Sequence, residues 1–236
     1  MDAFTYTNIF ATKGIEYLII IAFLILIVPF WQIITRPVVR QKIKQMVGIL
    51  SEKILRIPRG LKYSKNHTWT YLNKSGDVQM GIDDLLGHLL GKVEVKTLYE
   101  NGDTVKKGDR IAELRQDGKS LDLISPISGK LISYNNKLIS MPDLLNEEPY
   151  EKGWLANIEP EAWVSESSDF ISGSEAVEWE NKEFLKFKDF MAVTAHKLAP
   201  SEEKVVLQEG GEIIDNPMSE MPQEVWSEFQ KKFLNI

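Results

Sequence analysis

Between Tyr17 and Ile34 the chain reads YLIIIAFLILIVPFWQII, a run of 18 residues without a charge. Such a helix, rising 1.5 Å per residue, is about 27 Å long and matches the hydrocarbon core of a bilayer. A secretory leader would carry basic residues before the run and small residues at a cleavage site after it. Here Arg36, Arg40, Lys42 and Lys44 follow the run, and no A-x-A-like site is present. The segment 17–35 therefore reads as an uncleaved transmembrane helix, with Tyr17 and Trp31 near the headgroups and Pro29 tolerated near one end. Only Lys13 precedes it, beside Asp2 and Glu16. The positive-inside asymmetry predicts a single-pass membrane protein, for example in a bacterial inner membrane, with residues 1–16 outside and the C-terminal bulk in the cytoplasm.

The net charge of −6 conceals three electrostatic segments. Residues 1–59 hold 8 basic and 3 acidic side chains, residues 60–158 hold 13 and 14, and residues 159–236 hold 7 and 17. A nucleic-acid partner is not expected, because the only net-basic part adjoins the membrane run. The chain has no cysteine, which removes disulfides, thiolate metal sites, cysteine-ligated clusters and cysteine nucleophiles. Its three histidines, His67, His88 and His196, stand at no metal-ligand spacing, so no metal site is expected.

Past Pro37, apolar residues recur at Val39, Ile43, Met46, Val47, Leu50, Ile54 and Leu55 with Arg40, Lys42, Lys44 and Lys53 between them. This spacing predicts a basic amphipathic juxtamembrane helix over 36–60, facing a partner or lipid headgroups, or packing its apolar stripe on the adjoining domain.

From 61 to 158 the pattern changes to short β-like runs, Val78–Ile82, Lys92–Leu98, Arg110–Leu114 and Asp122–Ser125. Asn101-Gly102-Asp103 and Asp117-Gly118 supply tight turns between them, so a small, mainly β domain is predicted. Val105-Lys106-Lys107-Gly108-Asp109 and Ser125-Pro126-Ile127-Ser128-Gly129 resemble the segments that open and close the carrier hairpin of biotinyl and lipoyl domains. Leu61–Trp69 resembles the opening "Y-x-x-x-H-x-W" of the glycine cleavage H proteins. Gly81–Gly91 resembles their strand-then-helix "G-I-T-x-x-A-x-x-x-L-G", and Pro142–Leu155 their closing "P-E-L-V-N-x-D-P-Y-G-x-G-W-L". The resemblance implies a barrel-sandwich hybrid, a lipoyl-type fold of short antiparallel sheets with flanking helices.

It also implies a lysine, eight residues before the proline of "S-P-x-x-G", that carries lipoate, with a glutamate three residues earlier. Here those positions hold Gly118 and Arg115. Lys119 is one residue away, which leaves two readings. Either a rebuilt loop brings Lys119 to the tip for lipoate attachment, or Asp117-Gly118 makes an ordinary hairpin turn and Lys119 lies just beyond it. A slip of one residue turns a strand side chain to the opposite face, which favours the second reading and no cofactor.

After Pro160 the resemblance ends, and 159–236 is expected to form an acidic, partly helical C-terminal extension. Ser174 predicts the start of a helix running to about Lys197, and Asn216-Pro217 breaks the stretch beyond it. A last helix over Pro222–Leu234 presents Val225, Trp226, Phe229 and Phe233 as an apolar stripe. Such a stripe packs on its own domain or anchors a neighbouring subunit; Trp226, Phe229 and Phe233 are the candidate partner-binding residues. His67 and His88 lack the partners of a catalytic base, and no triad or phosphate loop is recognisable, so no enzyme is expected. The expected function is a non-catalytic accessory or scaffold subunit of a membrane-bound complex, for example a respiratory or other oxidoreductase complex, that docks other subunits. The alternative is a membrane-tethered lipoyl carrier using Lys119.

Overall fold

The computed structural model describes residues 17–27, 48–51, 53–198 and 212–235. The chain divides into two units, 1–47 and 48–236. In the first, residues 17–27 form helix α1, whose side chains are all exposed. Among the described residues no helix is long and apolar enough to cross a membrane. The remainder of the expected span, 28–35, and residues 1–16 lie outside the described residues.

The second unit is built on a seven-stranded antiparallel sheet containing β2 (Lys62–Ser64), β3 (Thr68–Leu72), β4 (Val78–Ile82), β6 (Thr104–Val105), β9 (Gly129–Tyr134), β10 (Ala156–Pro160) and β11 (Ile171–Ser172). Their spatial order is β11-β2-β3-β4-β10-β9-β6. A second sheet of three strands, β5 (Glu94–Thr97), β7 (Arg110–Gln116) and β8 (Lys119–Ile124), has β7 in the middle. Helix α2 (Asp84–Leu90) comes directly after β4 and is capped by Asp83, whose carboxylate accepts from the Leu86 N–H. Short helices α3 (Lys137–Ser140) and α4 (Leu144–Glu147) lead into β10.

Alternation explains the sheets. In β8 Leu121 and Leu123 point into the core, and in β9 Gly129 and Leu131 do, while Lys130 and Ile132 face outward. Gly129 has no room for a side chain, since a Cβ there would collide with the Glu159 carbonyl of β10. The glycine of "S-P-x-x-G" thus lets β9 and β10 pair. The outer blocks of the family resemblance also meet: Trp69, fully buried, donates its indole N–H to the Pro149 carbonyl at 3.1 Å, and Tyr150 packs beside it.

Two sequence expectations are corrected. Residues 48–51 and 53–60 do not continue a helix, and 36–47 and 52 lie outside the described residues. Gly48 takes a left-handed φ of +86°, after which β1 (Ile49–Leu50) pairs with β12 (Ile213–Ile214). The gain is burial: Leu50 joins the main core, whereas a free amphipathic helix would leave its stripe wet. Arg56 fixes the extended stretch leading into β2, its backbone N–H donating to Asp84 Oδ2 at 2.8 Å and its guanidinium to Asp84 Oδ1 at 2.6 and 3.0 Å.

The second correction concerns the extension. The expected boundary between 158 and 159 is not a structural one, because residues 48–236 form one unit. Strand β11 adds to the edge of the large sheet beside β2, and helix α5 (Trp163–Glu166) precedes it. Helix α6 (Gly173–Phe190) starts one residue before the expected cap, continues through a wider turn at Met191–Ala195, and ends at Leu198. Residues 199–211 lie outside the described residues. The C-terminal helix, Gln223–Phe229 with a wider turn to Leu234, packs Phe229 and Phe233 against Phe187 and Phe190 of α6. The aromatic residues of the extension pack on the chain's own β domain, where they find the apolar surface they need.

Candidate functional site at the β7–β8 hairpin

The hairpin tip is a two-residue turn. Gln116 and Lys119 face each other across it, with Asp117 (φ +49°) and Gly118 (φ +79°) between them, both left-handed. Two positive φ values suit the right-handed twist of the strands, and an aspartate next to a glycine tolerates them at low cost. Gly118, where the resemblance leads one to expect the carrier lysine, is therefore at the apex. Lys119 is the first residue of β8, as the second of the two readings expected.

The Lys119 amine is not free in solvent. It donates to the Ser219 carbonyl at 2.5 Å and lies 5.2 Å from the centre of the Trp226 ring. Burial pushes its ammonium below the usual lysine range, against the opposing charges of Asp117 and Glu220. Beside the tip lies a cleft of about 640 Å³, lined by Lys92, Glu94, Arg115, Asp117, Gly118 and Lys119 among others. Arg115, at the expected glutamate position, turns back along its strand, and its Nε donates to Glu113 at 2.8 Å.

Sequence reasoning missed the residues that clamp this hairpin. Strand β8 is an edge strand whose outward N–H groups would otherwise await another chain. Gln223 accepts from the Ser120 N–H at 3.0 Å and Gln230 from the Asp122 N–H at 2.9 Å. Their seven-residue spacing puts both on one helix face, which was the available signal. The Trp226 indole donates to the Met218 carbonyl at 2.8 Å and so fixes the short 3₁₀ turn Pro217–Glu220 that presents Ser219.

The expected partner-binding trio takes a different role. Trp226 and Phe229 are fully buried and Phe233 is 1% exposed, all within this chain. A partner could be anchored by them only if they left that core, so the assignment does not hold. His67 is buried against Asp83 at 2.7 Å, and His88, 11% exposed, meets Asp215 at 2.8 Å. Both join elements together, and neither faces the hairpin cleft.

A lipoyl group needs a solvent-exposed amine at the turn. This arrangement does not fit it: the apex carries no amine, and the Lys119 amine is engaged by the C-terminal segment.

A β domain of this kind, with a two-residue hairpin closed by V-x-x-G-D and S-P-x-x-G segments, is a lipoyl-carrier-type domain. Residues 61–183 match the sequence profile of the glycine cleavage H-protein, just over half of the chain, so the chain belongs to that family. It is 36% identical to the glycine cleavage system H protein of Coprothermobacter proteolyticus over 105 residues, 44% of this chain and 83% of that protein. It is 38% identical to that of Anaeromyxobacter sp. strain K over 106 residues, 45% of this chain and 82% of that protein. A crystal structure of a glycine cleavage system H protein from Mycobacterium marinum, 27% identical, covers 52% of this chain and 98% of its own with a TM-score of 0.46. The family assignment rests on the sequence matches. The match also extends beyond the expected end of the resemblance, taking in β11 and α6 as far as Glu183.

Proposed function

We propose that this chain is a non-catalytic member of the H-protein family that serves as a docking subunit and not as a lipoyl carrier. One observation carries the reading: Gly118 occupies the hairpin apex while the neighbouring amine of Lys119 is held by Ser219 and Trp226. A family member without an available arm retains the surface that carriers offer to visiting proteins. The uncharged run 17–34 and the basic residues after it support attachment to a membrane with the second unit on the cytoplasmic side. Tethering would concentrate that unit near membrane-bound partners.

The family match favours a second reading, a membrane-tethered carrier that uses Lys119 and binds lipoate when the C-terminal segment lifts. Purification of the native chain in mild detergent, with intact-mass spectrometry and identification of co-purifying chains, separates the two. The docking reading expects an unmodified mass and a stable set of partners. A lipoyl increment on Lys119 establishes the carrier reading, and an unmodified chain without partners defeats both.

A further inference from the structure

We propose that His67, Asp83 and Glu180 form a buried site for a divalent transition metal of the zinc class, which fastens helix α6 to the β domain. The three residues come from separate parts of the chain. His67 stands in the turn between β2 and β3 with a left-handed φ of +56°, Asp83 caps α2, and Glu180 lies in the middle of α6. They are 1%, 0% and 1% exposed, and one donor atom from each lies within 4.8 Å of the others.

Two features point to a ligand there. Both carboxylate oxygens of Glu180 are buried with no hydrogen-bond partner, and so is Nε2 of His67. Buried polar atoms are normally paired, and a carboxylate without a partner is among the costliest exceptions. The second feature is charge. Two carboxylates are buried together there against a single imidazole, with one donor atom of each residue within 4.8 Å of the others. A divalent cation with one neutral imidazole and two carboxylates is balanced.

The donor set selects the metal. One nitrogen and two carboxylate oxygens, without sulfur, suit Zn²⁺, Mn²⁺, Co²⁺ or Fe²⁺ better than Cu⁺ or Ca²⁺. Donor atoms in a tetrahedral zinc site stand about 3.3 Å apart, so side-chain adjustments of an ångström or so close the triangle. The surrounding shell is already ordered. Trp179 stacks on the His67 ring at 5.0 Å, and the Leu86 N–H holds Asp83 Oδ1. Glu183 has an oxygen 3.7 Å from His67 Nε2 and is braced by Lys186 at 2.8 Å.

The rival arrangement is a protonated Glu180 sharing its proton with Asp83. The full chain in detergent, stripped with a chelator and then given Zn²⁺, separates the two. We expect about one zinc retained per chain after gel filtration, a higher melting temperature that chelator reverses, and loss of both in Glu180→Gln. Co²⁺ added to the native chain is expected to give the visible absorption of a low-symmetry nitrogen and oxygen site. No retained zinc and no cobalt spectrum overturn the proposal. So does a Glu180→Gln variant that keeps the metal, or one that matches the metal-loaded stability without metal, which is the signature of the shared proton.

Discussion

The ammonium of Lys119 sits 5.2 Å from the centre of the Trp226 ring, so the amine nearest to the hairpin apex is covered by a helix that begins about a hundred residues later in the chain. Cation–π contact and the Ser219 carbonyl together hold a side chain that a carrier would leave free.

Trp226→Ala removes both the cover and a fully buried ring. Large-to-small changes of this kind cost about 3–5 kcal/mol. We expect a loss of that order in denaturant unfolding, together with faster acylation of Lys119 by an amine-reactive reagent, read by peptide mass mapping. Unchanged labelling in a folded variant would show that Trp226 does not shield the amine.

The apex itself is testable by moving the lysine. In a variant combining Arg115→Glu, Gly118→Lys and Lys119→Ser, the amine stands at the apex and the glutamate three residues before it, as in the family pattern. The left-handed φ of +79° at position 118 adds about 1 kcal/mol of strain for a non-glycine residue. Incubated with a purified lipoate ligase, this variant is expected to gain the lipoyl mass while the native chain does not. Equal modification of the two would mean that the apex position is not what excludes lipoate here.

Arg56 ties the stretch before the β domain to the cap region of α2 through Asp84, whose side chain is 2% exposed. Arg56→Ala removes the guanidinium from that carboxylate and leaves it only the backbone N–H of residue 56 as a donor among these contacts. Because Arg56 is 37% exposed, the cost is set below that of a fully buried pair, at about 1–3 kcal/mol. Urea unfolding measures it, and Asp84→Asn in the Arg56→Ala background is expected to recover part of the loss.

His88 joins α2 to the segment before the C-terminal helix through Asp215. Burial alone would lower its imidazolium, but the Asp215 hydrogen bond and the Asp84 charge hold it above the ordinary 6.5. A raised folded-state value means that the stabilisation is complete below pH 6.5 and is lost as the pH rises through the folded-state value. Stability is therefore expected to fall on the alkaline side of 6.5, and His88→Gln should make that fall shallower. An imidazole titrating at or below 6.5 by nuclear magnetic resonance would contradict the assignment.

Local patterns were legible wherever the chemistry was local. The run Val78–Ile82 is β4 residue for residue, the Asp117-Gly118 turn is where its residues require it, and the last helix begins one residue from its expected start. The family was legible too, because Trp69, Gly129 and the Pro149 region are fixed by close contacts that few other residues satisfy. The 3.6-residue periodicity around Leu50 is genuine, yet the chain there forms a strand because Leu50 gains more by pairing beside Ile213.

The sequence by itself determined the β domain and the Asp117-Gly118 turn at its hairpin, both of which depend on neighbours a few residues apart. Only the tertiary structure decided the rest. Periodicity tells which residues of 159–236 seek burial but not which surface receives them, so Trp226, Phe229 and Phe233 could be assigned to another protein until the core they fill was seen. The same holds for Lys119, Ser219 and Trp226, and for His67, Asp83 and Glu180: each set is assembled from segments far apart in the chain, and proximity across such distances is a property of packing.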